Sequence, residues 1–547
     1  NLSNTALSNL NTSAVAGMTT VQIVALTTAQ AAGLTTTAVM ALTTAQIAAM
    51  ETVDVASLNT TNIAALSSVQ VQALTTRQII GLTTAQISAL NTTTLQALTI
   101  KQIAALETGD ITLLGSTNVT SLSSNQLRAL NTAQISGLTA AQLASLGAAQ
   151  LSQLKANQMP GVSSGNLNIL TSGVVVAFSG TQVAGLTTTQ LTSLTSTTLS
   201  YLSTSAVSGL TTNQIAALTT KQVSTLNTIT LSGLTTSQIV SFETVDLAVL
   251  SSDQIASLSS TQIRALNSLQ ILGLTTTQIS ELSANTLKML TTQQVASLEN
   301  TDIALLGSNI TELSSTQLRA LNTAQVNGLT TAQLVSLGSS SLSRLTAQQM
   351  PGLGIATIDG LPEATIAAFK GEQLAGLTTA QVSGLATTTL LKLSTSGFAG
   401  LNTNQVVALT TNQAESLSSS FVKALTNSQV SAMETRDLAV LSSTNLTMLS
   451  GAQIVALTTL QLQSLTTNAL SNLNSNAVAS LTTTQIIALT TKQFAGLTTA
   501  AISALTTLQI VSMQTSDIAA LSTTGISVLS SSQARALTTK QIAALEV

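Results

Sequence analysis

Apolar side chains recur along this chain with a period of eight. Leu26, Leu34, Leu42, Met50, Leu58, Leu66, Leu74, Leu82 and Leu90 share one register, slot one, and Ile47, Val55, Ile63, Val71, Ile79 and Ile87 share slot six. From slot six to the next slot one is three residues, as between Ile47 and Met50. On a helix, residues three apart lie on one face, whereas on a strand they point to opposite faces, so the spacing predicts helix. Leu42, Ile47, Met50, Leu82 and Ile87 are then core residues.

The polar positions agree. Thr43-Thr44-Ala45-Gln46 reads as a capping box, in which the Thr43 side chain and the Gln46 side chain satisfy amides left open at a helix start. Glu51 and Asp54 read as a variant of the same pair. A single continuous helix does not fit, because eight residues advance the wheel by about 800° and the leucine stripe would drift by about 80° per repeat. Each octad is therefore a stub of about two turns, too short to be stable alone. The predicted fold is all-α: a solenoid of very short capped helices, one per octad, each burying its Leu/Ile pair against its neighbours. A β-solenoid is the alternative, since Thr and Ile favour strands. With two stubs in each layer at about 9 to 10 Å spacing, the chain reaches roughly 300 Å.

The octad frame runs through essentially all 547 residues as a single continuous solenoid, losing one residue at "LGSNITEL" near Leu306. A longer period of about 192 residues lies over it: "METVDVASL" at 50 returns as "FETVDLAVL" at 242 and "METRDLAVL" at 433. Two less regular, proline-containing blocks, near 158–185 and 349–376, interrupt the pattern. The plainer reading of each is a local kink, because proline lacks an amide donor. The sharper reading is a lateral docking site once per long repeat, with Met159, Pro160, Met350 and Pro351 as its contacts.

Composition narrows the function. Charged residues are 6% and aromatic residues 1%, with no His, Cys or Trp. Such bias is that of a repeat protein, not of several ordinary domains. Twelve of the 16 basic residues fall in slots four and seven, among them Arg77, Lys101, Arg128 and Arg264, where the wheel expects solvent. A net charge of −3 without a basic run predicts no nucleic-acid partner, and no stretch approaches the ~18 apolar residues of a membrane span. The segment from Asn1 has neither a basic start nor an apolar core, which suggests a mature product or an excised fragment.

No residue set suggests catalysis. Serine and threonine abound, but there is no histidine to activate them. The Glu-x-x-Asp pairs make poor calcium sites, having two carboxylates and no further oxygen ligands. The expectation is no enzyme, no cofactor, no metal and no small-molecule substrate.

Tandem "LTTxQIxAL" octads with "ETxDLAVLS" variants resemble the giant low-complexity proteins of bacteria, mainly alphaproteobacteria, that look like secreted or cell-surface components. The resemblance covers practically the whole chain and brings no catalytic residues. Together with the uncharged Thr/Ser/Gln/Asn surface, it implies an extracellular structural protein that assembles with itself into a fibre, sheath or surface layer. An adhesin stalk or a protein-binding α-solenoid is the alternative.

Overall fold

The computed structural model describes residues 3–546. It is 68% helical, with no strand among the described residues, so the chain forms the all-α solenoid and not the β-solenoid. Its contacts cluster into two units, Asn1–Gln278 and Ile279–Val547, built on the same plan.

Each octad forms one helix. Thr44–Ala49 is typical: Thr43 is its N-cap with extended backbone, the Thr43 hydroxyl accepts from the Gln46 amide, and Met50 ends the helix by turning extended at φ −55° and ψ 140°. Most helices run five or six residues, about one and a half turns rather than two. They stop early because the slot-one residue leaves the helix to drive its side chain inward, and the next Thr, Ser or Asn, also extended, opens the following helix.

A helix packs on the helix three octads away. In the first unit Thr44–Ala49 lies between Thr20–Val24 and Ser68–Ala73, and in the second Thr459–Ser464 lies between Thr435–Ala439 and Thr483–Ala488. A turn of the coil thus takes between three and four octads, which corrects the simpler layer of two stubs. Slot-one and slot-six side chains from successive octads converge on the coil interior. Leu66, Leu74, Leu82, Leu90, Leu98 and Leu106 all border one apolar void of only about 10 Å³, at the lower limit for a single water. Leu42, Ile47, Met50, Leu82 and Ile87 are all buried there.

Small residues in slot eight permit the stacking. Gly209 lies against the backbone of Gly180 on the preceding turn, where any added Cβ would collide. The coil's corners at slot two normally have φ near −70°, but Gly147 and Gly338 turn theirs at φ 66° and 67°. That region is open to glycine at little cost. These two corners recur one long repeat apart.

The proline blocks keep the register. Ala156–Gly161 and Ala347–Gly352 are 3-10 helices, a tighter geometry that accepts the proline. Met159 and Met350 are both fully buried in slot six. That removes the two methionines from any lateral contact and makes them core residues. Pro160 and Pro351 stay exposed in slot seven.

Candidate functional site: a buried amide ladder beneath a repetitive surface

Slot five carries the most unusual chemistry in the fold. Its glutamines are polar yet buried: Gln46, Gln78, Gln86 and Gln102 are each at most 2% exposed. Gln78 shows how this is tolerated. Its Oε1 accepts from the Thr75 amide at 2.7 Å, at the start of its own helix, while its Nε2 donates to the carbonyls of Ile47 and Met50, both at 2.8 Å. Those carbonyls lie 31 and 28 residues earlier, at the corner where one helix ends and the next begins.

A helix leaves amides open at its start and carbonyls open at its end. One glutamine side chain here serves both, capping its own helix and the end of a helix one turn below. The arrangement repeats through both units, for example at Gln214, whose Nε2 reaches the Val183 and Leu186 carbonyls, and at Gln485, which reaches those of Ile454 and Leu457. A register of 28 residues is three and a half octads, so successive turns are staggered like bricks, each helix sitting over a corner.

The sequence pattern identifies Thr43 and Gln46 as a cap, and the structure places the Thr43 amide on Gln46 Oε1 at 2.6 Å. The pattern misses the other half, the Gln46 Nε2 donated to Val15 and Met18 at 2.9 and 2.7 Å. A signal for it was present: a capping box accepts Glu or Gln, yet no glutamate occupies slot five anywhere in the chain. A carboxylate could take the amide but could not donate to two carbonyls, and would be buried as a charge.

Where slot five is aspartate the ladder changes. Asp110, Asp246 and Asp302 accept the amides of Glu107, Glu243 and Glu299 at 2.8, 3.1 and 2.9 Å, half of the glutamine's work. At Glu51 and Asp54 the expected box is not formed. Glu51 is the N-cap residue, but its side chain makes no cap bond, and the buried Asp54 bonds Thr28 of the preceding turn instead. Burial pushes all six slot-five carboxyls, Asp54, Asp110, Asp246, Asp302, Asp437 and Asp517, above the ordinary carboxylate value. Among the described residues no three carboxylates gather as a metal site would require.

Outside, slots two, three, four and seven face solvent, as in Thr43, Thr44, Ala45 and Ala48. Ion pairs are sparse; the clearest joins Lys288 to Glu312 at 2.7 Å. Some slots four and seven carry exposed apolar side chains. Leu460, Ile487, Leu508 and Val511 are examples, carried by three stacked helices, Thr459–Ser464, Thr483–Ala488 and Thr507–Ser512.

Six stretches of the chain match the ALTTAQ repeat. They are residues 47–84, 103–140, 239–277, 308–339, 430–467 and 510–547. The matches fall in both units and on the octads that build the ladder. A comparison with curated proteins finds no match. Among solved structures, one titled "Structure of APUM23-GGAAUUGACGG" aligns with 80% of this chain and 86% of its own at 10% identity, with a TM-score of 0.14. A likeness that slight carries no argument about fold or ligand. Among the described residues, no helix is long and apolar enough to cross a membrane.

Proposed function

We propose that this chain is a non-catalytic structural protein of the cell surface or extracellular space that assembles with copies of itself into a fibre, sheath or surface layer. The observation that carries this reading is the monotony of the surface. Every octad presents the same outward slots, filled mainly with Thr, Ser, Ala and Asn, and only 6% of residues are charged. Copies therefore meet with little electrostatic repulsion, and a contact made by one octad is offered again by others along the coil. Within each unit, load along the coil passes through the leucine core and the amide ladder together. With a net charge of −3 and no basic run, the chain offers little to neutralise the phosphates of a nucleic acid. The extracellular setting follows from the resemblance to secreted repeat proteins.

Negative-stain electron microscopy of the purified chain over a range of concentrations tests the proposal. Filaments or sheets many chains long are expected. Single particles at every concentration defeat self-assembly and leave the second reading, a stalk or scaffold that binds another protein. That reading is favoured by the exposed apolar side chains Leu460, Ile487, Leu508 and Val511 on one stack of helices, because exposed apolar surface is what an interaction site uses.

A further inference from the structure

Slot five holds asparagine in some octads and aspartate in others, and the two side chains have the same shape. Asn62 accepts the Thr36 hydroxyl on Oδ1 at 2.9 Å and donates Nδ2 to the Leu34 carbonyl, 28 residues earlier, at 2.9 Å. Asn445 repeats this with the Ser419 hydroxyl at 2.9 Å and the Leu417 carbonyl at 2.6 Å. Asp437 and Asp517 also accept on Oδ1, from the hydroxyls of Thr411 and Thr491 at 3.0 and 2.9 Å, and Asp54 bonds Thr28 in the same register. Their second oxygen differs. Oδ2 of Asp54, Asp437 and Asp517 is buried and has no hydrogen-bond partner. The asparagine register puts the carbonyls of Leu26, Leu409 and Leu489 where that oxygen points. Two acceptors facing each other lack one hydrogen, and a protonated carboxyl supplies it.

We infer that Asp54, Asp437 and Asp517 form a proton-operated latch between turns: when neutral, each donates its carboxyl O–H to the carbonyl 28 residues earlier, as asparagine does, and each turn loosens when the group ionises. The surroundings favour the neutral form. Burial is the largest influence on each carboxyl and pushes it up, against the lowering effect of the threonine hydroxyls.

Asp54 also faces Glu51 on its own helix, which raises it further. The helix packed below it, Thr28–Ala32, carries no charge, and Thr76–Ile80 above carries only the exposed Arg77. Asp437 has Arg436 and Glu434 beside it and Glu415 on the helix below; Arg436 partly opposes the rise. Asp517 has no charged neighbour on its own helix, Lys492 on the helix below and Lys540 on the helix above.

The test compares the full-length chain with the triple variant D54N/D437N/D517N, using D253N at an exposed position as control. Amide hydrogen exchange around the three turns is followed as pH rises from the ordinary carboxylate value of 3.8. Wild-type turns are expected to open more readily as pH rises, while the triple variant stays protected. The ratio should grow about tenfold for each pH unit beyond the point where the carboxyls ionise. Because the variant could itself misfold, the infrared C=O stretch of neutral carboxylic acid is recorded on wild type. It should persist above pH 3.8 and fade as the turns loosen. Parallel exchange profiles, a missing carboxylic-acid band, or protection restored at neutral pH by calcium or sodium rather than by acid would each overturn the inference.

Discussion

Gln78 and Thr75 are joined twice within one octad: the Thr75 amide donates to Gln78 Oε1 at 2.7 Å and the Gln78 amide donates to Thr75 Oγ1 at 3.3 Å. The pair fixes the glutamine side chain so that its Nε2 can reach only the turn below. Local capping thereby aims a long-range bond, and cutting either half should show at both places. Replacing Gln78 by alanine leaves the Thr75 amide and the Ile47 and Met50 carbonyls unpaired, at a cost of about 1–3 kcal/mol for each buried group left open. Hydrogen exchange should rise at Thr75 and in the corner at 47–50. Gln78→Glu keeps the acceptor and loses the donor, so at neutral pH it should open the corner at 47–50 more than the start of its own helix. Equal protection in wild type and both variants would remove the ladder from the account of stability.

The core should respond locally. Ile47 is 1% exposed and packs into the coil interior. Ile47→Ala is expected to cost about 2–5 kcal/mol. In a solenoid, stability is carried by each repeat and its neighbours, so the loss should appear as faster exchange over adjacent turns. A uniform loss of protection through both units would contradict this.

Two glycines make a paired test. At Gly209 an added side chain meets the Gly180 backbone, whereas at Gly109, inside Thr108–Leu113, an added Cβ meets nothing within 4 Å. Gly109→Ala should stabilise by about 0.5–1 kcal/mol, since glycine weakens a helix interior. Gly209→Val should force the two turns apart and lower the thermal midpoint. If both substitutions moved stability in the same direction, close approach would not be what selects glycine in slot eight.

Arg436 should tune Asp437. Its Nε lies 3.8 Å from Asp437 Oδ1 and holds the carboxyl down against the larger effect of burial, which raises it. A folded-state value above the unfolded one means that the stability contributed is complete below the unfolded value of 3.8 and is lost as pH rises through the folded one. Arg436→Gln removes the opposing cation, so protection around Asp437 should survive to higher pH than in wild type. The ionisation point read by NMR of the Asp437 side chain should move up; a downward move would contradict this assignment of causes.

Much of this protein is legible in one octad. The three-residue interval from Ile47 to Met50, the Thr43–Gln46 cap and the drift of an eight-residue stripe on a continuous helix are local facts, and together they require short capped helices that stack. The outward placement of Arg77 and Lys101 follows from the same wheel. The sequence is silent on how many octads close a turn, because that number comes from how helices three octads apart settle against Gly209 or Ala49 and around the leucine core.

Once the turn is set at 28 residues, remote partners follow that no local pattern names. Gln78 finds Ile47 and Met50, Asn62 finds Leu34, and Asp54 meets Thr28 while its second oxygen is left without a donor. The irregular look of the proline blocks misled for the same reason. A 3-10 turn preserves the register there, so Met159 and Met350 fall into the core although their neighbours depart from the repeat. The sequence by itself determined which face of each helix is apolar and where each helix starts and stops, since these depend on contacts within a few residues. Only the tertiary structure decided which carbonyl each buried polar side chain meets, because that depends on the pitch of the coil, which is a property of packed turns and not of any one repeat.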